Sequence, residues 1–92
     1  MTIDDVKRVA REYYQLLESQ GYKSCYEDGC DCPRDETSAM NYLMYMCDAI
    51  QGLSDEARAM RWLGFIQGVF WSFGMFRIPQ LRGYNGGGAI EL

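Results

Sequence analysis

The stretch from Trp62 to Phe76 sets the first limit on the fold, because it runs for fifteen residues without a charge in a chain of 92. A membrane-spanning helix needs about 20 apolar residues. This run is shorter and carries Gln67 near its centre, so it reads as a buried core helix. A chain of this length holds one hydrophobic core, and that helix must fill much of it. Gly64, Gly68 and Ser72 recur four apart along the run, forming a ridge of small residues. Each glycine costs a helix interior roughly 1 kcal/mol against alanine. Close approach of another helix along the ridge is the expected return. Trp62, Phe65, Ile66, Val69, Phe70, Trp71 and Phe73 surround it.

The rest of the chain supplies partners of the same type. Ile3, Val6, Ala10, Tyr13 and Leu17 recur with helical period. Thr2 is placed to cap that helix, with Asp5 at its third position, and Gly21 marks its end. Asp4 and Arg8 on its outer side form a pair worth about 0.2–0.5 kcal/mol. A second helix starts between Asp35 and Ser38 and ends at Gly52. Its stripe is Met40, Leu43, Cys47 and Ile50, widened nearly all round by Met44, Tyr45, Met46 and Ala49. Ser54 is placed to cap the third helix, with Asp55 and Glu56 in its first turn and Gly74 as its stop. Only about two residues then join helices 2 and 3, which predicts a helical hairpin. Pro79 suits the first position of a short further turn over 78–82. No segment alternates with period two for long enough to make a strand. The expected fold is all-α: a small bundle of three helices plus a short C-terminal helical turn. A Cys-rich acidic loop lies between helices 1 and 2. Residues 1–85 form one helical domain, and 86–92 a flexible Gly-rich tail. Helices 2 and 3 offer more apolar surface than helix 1 can cover, which favours a homo-oligomer.

Composition narrows the function. Histidine is absent, which removes Ser-His-Asp, Cys-His and histidine-metal sites. Thirteen acids oppose nine bases. Residues 24–56 hold eight acids and one base, whereas 57–83 hold four arginines and no acid. A net acidic chain binds nucleic acid poorly, since phosphate affinity comes from clustered cations. The first twenty residues carry acids by position four and no long apolar core, unlike a signal peptide. That points to a reducing cytosol, in which the cysteines are free thiols or metal ligands.

Three groups of residues carry candidate chemistry. Cys25, Cys30 and Cys32 fall within eight residues and suit zinc, with Cys47, Asp28 or Asp31 as a fourth ligand. Their spacing is not the paired C-x-x-C of zinc ribbons, and a reduced acidic loop is the more ordinary outcome. Glu27, Asp28, Asp31, Asp35 and Glu36 form an acidic patch that can dock on a basic partner and imitate phosphate. A charge run is more often simply solvated. Arg58 and Arg61 lie beside Trp62, and Arg77, Arg82 and Tyr84 follow the third helix. Arginine with aromatics can clamp a phosphate and stack a base. Salt bridges to the acids of the loop and helix 2, with both tryptophans in the core, are the more common use of such residues. Enzyme chemistry finds little support: there are two lysines, no phosphate-binding loop and no singled-out carboxylate pair.

The segment from Ser54 to Val69 contains Arg61-Trp62-Leu63-Gly64-Phe65-Ile66-Gln67-Gly68, followed by Gly74 and then Ile78-Pro79-Gln80-Leu81-Arg82. Over about residues 40–85 this pattern resembles small helical proteins of tailed bacteriophages. The resemblance brings no catalytic residues and does not extend to the cysteine loop. It implies a phage accessory protein in the cytoplasm of a bacterial host. Such proteins often bind and disable host machinery or immunity, as anti-CRISPR proteins do. The expected function is therefore non-enzymatic inhibition of a host defence or host machinery protein, possible targets including nucleic-acid-binding defence complexes. The alternatives are an oligomeric sponge for a signalling nucleotide, held by Arg58, Arg61, Arg77 and Arg82, and a zinc-stabilised interaction module.

Overall fold

The computed structural model describes residues 1–26 and 35–85. Four helices follow in chain order: α1 (Ile3–Ser19), α2 (Glu36–Ile50), α3 (Glu56–Ser72) and α4 (Ile78–Tyr84). No strand occurs among the described residues. The expected all-α bundle of three long helices and one short C-terminal helix is what the chain forms.

Local chemistry sets the helix ends. At α1 the Asp5 amide N–H donates to Thr2 Oγ1 (3.3 Å), and the Thr2 amide donates back to Asp5 Oδ2 (3.0 Å). Two of the orphan donors at a helix start are thereby satisfied. α1 and α3 stop in the same way. Gly21 (φ +93°) and Gly74 (φ +71°) take the left-handed conformation that a side chain resists. Tyr22 N–H donates to Leu17 O and Gly21 N–H to Glu18 O; Met75 N–H donates to Phe70 O and Gly74 N–H to Trp71 O. These paired bonds close both last turns as Schellman motifs.

Three local expectations are corrected. Asp55, not Ser54, caps α3, its carboxylate accepting from the Arg58 N–H at 3.2 Å. A carboxylate at the positive end of the helix dipole is the stronger acceptor. The α2–α3 connection consequently spans residues 51–55, longer than expected, though the two helices still pack on each other. Arg8 pairs with Glu12 (3.2 Å) rather than with Asp4. Arg8 and Glu12 both border a cleft against Phe76 and Tyr84 of the α4 region, which holds the two side chains on one side.

The third helix is buried along one stripe only. Ala59, Leu63, Ile66, Gln67 and Phe70 face α1 and α2. At 100° per residue the Gly64–Gly68–Ser72 ridge lies on the opposite side. A Cβ built at Gly64 or Gly68 meets nothing within 4 Å. The ridge therefore receives no other helix among the described residues. The Leu63–Ile66–Phe70 stripe offers far more apolar area, and burial favours area.

One polar group interrupts the apolar interior. Gln67 is fully buried on α3, and its Nε2 donates to Tyr13 Oη of α1 (2.9 Å) and to Asn85 Oδ1 after α4 (2.7 Å). Asn85 Nδ2 donates back to Gln67 Oε1 at 3.1 Å. The two amides thus close a reciprocal pair. Around it, the Tyr13 ring lies 5.0 Å from Phe70, edge to face, and 4.9 Å from Tyr84. Phe76 sits 5.2 Å from Phe70. No buried side-chain polar atom among the described residues lacks a partner. The clasp and its rings fasten the short α4 to α1 and α3. Seven residues alone would not hold a helix.

Two stability outcomes follow. Gln67→Leu leaves Tyr13 Oη and the Asn85 amide without partners in the interior and should cost about 1–3 kcal/mol for each group left unpaired. Urea unfolding measures it, and Gln67→Leu with Asn85→Leu should recover part of the loss. Gly68→Ala should stabilise the chain by up to about 1 kcal/mol, because the position is helical and open. Gly74→Ala should destabilise it by about 1–2 kcal/mol, through its left-handed backbone.

Candidate functional site

Where the polypeptide meets water, α3 presents aromatic residues that the hydrophobic effect alone would hide. Phe65 is 53% exposed and Trp71 57%, while Trp62 is half-buried. The expectation that both tryptophans belong to the core fails for Trp71, because the core stripe of α3 runs through Leu63, Ile66 and Phe70. Phe65 and Trp71 flank the glycine ridge on opposite edges, at 100° per residue.

On the Phe65 edge, α2 and α3 form an aromatic shelf. Tyr42, Tyr45 and Met46 of α2 face Arg61, Trp62 and Phe65 of α3 across an open cleft of about 340 Å3. Tyr26 extends the shelf, its ring 4.8 Å from Tyr45 and 6.1 Å from Tyr42. The segment carrying Tyr26 is laid along α2 by Asn41. The Asn41 side-chain oxygen accepts from Lys23 N–H (3.1 Å), and its backbone oxygen accepts from Cys25 N–H (3.2 Å). Arg58 places its guanidinium carbon 5.8 Å from the centre of the Trp62 ring, a cation–π contact. Arg61 lies exposed on the cleft wall. Among the described residues none of the expected salt bridges from Arg58, Arg61, Arg77 and Arg82 forms, and the one ion pair joins Arg8 and Glu12; the loop acids Glu27, Asp28 and Asp31 lie outside the described residues. The structure therefore brings Arg58 and Arg61 to the shelf, whereas Arg77 and Arg82 belong to the α4 end of α3.

The acidic candidates divide. Asp35 caps α2, accepting from Ser38 N–H (2.8 Å) and Ser38 Oγ (3.0 Å), which holds its carboxyl below the ordinary range. Glu36 accepts from the Tyr22 hydroxyl at 3.2 Å. Both stay exposed, yet each also serves the fold. Glu27, Asp28 and Asp31 lie outside the described residues, as do Cys30, Cys32 and the tail 86–92. Cys25 is half-buried. Cys47 is buried in α2, where desolvation pushes its thiol up to about 12. No group of three metal-ligating side chains occurs among the described residues.

The clasp was not singled out from sequence. Its signal was Gln67, the one amide inside an uncharged run, since a buried amide demands partners. The clasp is not acid–base chemistry. Burial raises the Tyr13 hydroxyl far above its ordinary value, and it accepts from the neutral Gln67 amide, which pairs in turn with Asn85. The described surface presents flat rings and guanidinium groups without ion-pair partners among the described residues, on a frame of packed helices.

Comparison of the chain with protein-family models, with curated proteins and with solved structures finds no match. No described helix is long and apolar enough to cross a membrane.

Two measurements check these placements. In a chain with Cys25, Cys30 and Cys32 changed to serine, Cys47 should resist a thiol reagent at mildly alkaline pH and react only on unfolding. Asp35→Ala should lower thermal stability at neutral pH. A carboxyl held below its unfolded value stabilises the fold above that value and loses this contribution as pH falls through the folded one. The gap between Asp35→Ala and the native chain should therefore shrink in acid.

Proposed function

We propose that this chain is a non-enzymatic accessory protein that binds another protein and blocks its working surface. The observation that carries the reading is the aromatic shelf: Tyr26, Tyr45 and Phe65 stand in water beside Arg58 and Arg61. Tyrosine, tryptophan and arginine are the residue types that dominate binding energy at protein interfaces. Rings held between two packed helices lose little conformational entropy on binding. The resemblance of residues 40–85 to small phage proteins supports a target in the bacterial host, in its defence or its core machinery, with this chain acting in the host cytoplasm in the manner of an anti-CRISPR protein. The acids Glu27 and Asp28 follow Tyr26 directly in the chain.

The Arg58–Trp62 stack also supports a second reading, a nucleotide sponge in which the ring stacks a base and the arginines hold phosphate.

Affinity capture from a phage-infected host, run in parallel with the native chain and with a Tyr45→Ser, Phe65→Ser double variant, tests the first reading. A specific host protein should be retained by the native chain and fall about tenfold or more with the variant, whose fold circular dichroism should show intact. Equal recovery by both chains contradicts it. Calorimetry with a panel of cyclic nucleotides tests the second: heat abolished by Arg58→Ala would favour the sponge.

A further inference from the structure

The other edge of the glycine ridge holds a separate feature. Trp71, with Gln67, Gly68, Ile78 and Leu81, lines a notch of about 230 Å3 between α3 and α4. Its exposed lining is apolar: Gln67 is itself fully buried, with its amide bonded to Tyr13 and Asn85. Cofactor and drug-sized sites occupy roughly 300–1,000 Å3, so this volume suits one large side chain and not a cofactor. Leu81 is 1% exposed and closes the floor, and the absent Cβ of Gly68 leaves one wall open.

The charge around the notch has one sign. Arg77 precedes Ile78, and Arg82 follows Leu81 and lies four residues on from Ile78, hence on the same face of α4. Both arginines are exposed, and neither has an ion-pair partner among the described residues. Residues 57–83 contain no acid. Glu12 of α1 borders the opposite side of α4, in the cleft with Gln80 and Gly83, and there it pairs with Arg8.

We propose that this notch docks an acidic peptide segment of a partner protein, which seats one large apolar side chain against Trp71 and Leu81 and sets carboxylates on Arg77 and Arg82. A second copy of this chain fits the same face less well. A two-fold contact there would bring four arginines together with no acid between them, and like charges across an interface are strongly unfavourable. The net charge of −4 does not oppose the acidic segment, because at physiological salt charges beyond about 8 Å are screened and the local sign governs. The proposal stands on a different edge of α3 from the shelf and does not require it.

The test is selection from a displayed random-peptide library on the immobilised native chain, with depletion on Gly68→Trp. A Cβ at Gly68 meets nothing within 4 Å, so the variant is chosen to fill the notch, and circular dichroism should show its fold intact. Peptides specific to the open notch should carry one large apolar residue among Asp and Glu. Their affinity should fall about tenfold with Arg77→Glu plus Arg82→Glu and should decline as salt rises. Phe65→Ser should leave it unchanged. Winners that are neutral or basic, or no peptides that distinguish the native chain from Gly68→Trp, overturn the proposal. So does concentration-dependent dimerisation of the native chain abolished by Gly68→Trp, which would assign the notch to a second copy.

Discussion

The rest of the structure depends on a single buried amide. Gln67 holds three elements at once: Tyr13 of α1, its own helix α3, and Asn85 behind α4. An unpaired amide in that interior would cost more than most single contacts contribute, so the clasp is met only when all three elements are in place. That requirement specifies one arrangement of a short, weak helix that apolar packing alone would position loosely. The aromatic rings of Tyr13, Phe70, Phe76 and Tyr84 keep water away from the clasp, and the clasp keeps those rings in register.

Because Gln67 and its neighbours Leu63, Ile66 and Phe70 draw one side of α3 inward, the opposite side meets no other helix among the described residues. The placement of binding chemistry follows from that division. Phe65 falls on the α2 edge and Trp71 on the α4 edge, and the open ridge of Gly64, Gly68 and Ser72 runs between them. Exposed rings on a helix whose other side is locked into the core are pre-positioned for a partner. The strongly shifted groups, Tyr13 and Cys47, are shifted by burial in the core.

Much of this architecture was legible in the sequence, and the physical reasons are local. The Thr2–Asp5 box, the Gly21 and Gly74 stops and the stripes of α1 and α2 need only near neighbours to act. What was not legible is which of two possible faces of α3 would be buried. Gly64, Gly68 and Ser72 invited a helix, while Leu63, Ile66 and Phe70 invited the core. Both patterns sit on one helix, and only the areas offered by α1 and α2 decide between them. The same ambiguity leaves the side on which Trp71 falls open in the sequence. Arg58 and Arg61 group with Trp62 in the sequence because their separation is within about one turn, but that they find no ion-pair partner among the described residues is a tertiary fact. Asp35 was read as a partner contact before its capping bond to Ser38 was visible.

The central claim is that α3 leaves its outer face to water in the isolated chain. The fluorescence of Trp71 in a Trp62→Phe variant, measured at high dilution with a collisional quencher, tests it most directly. Red-shifted emission, quenched nearly as readily as free tryptophan, is what the account expects. Blue-shifted emission that resists quenching would mean that Trp71 is inside, and that the outer face of α3 is not open for binding.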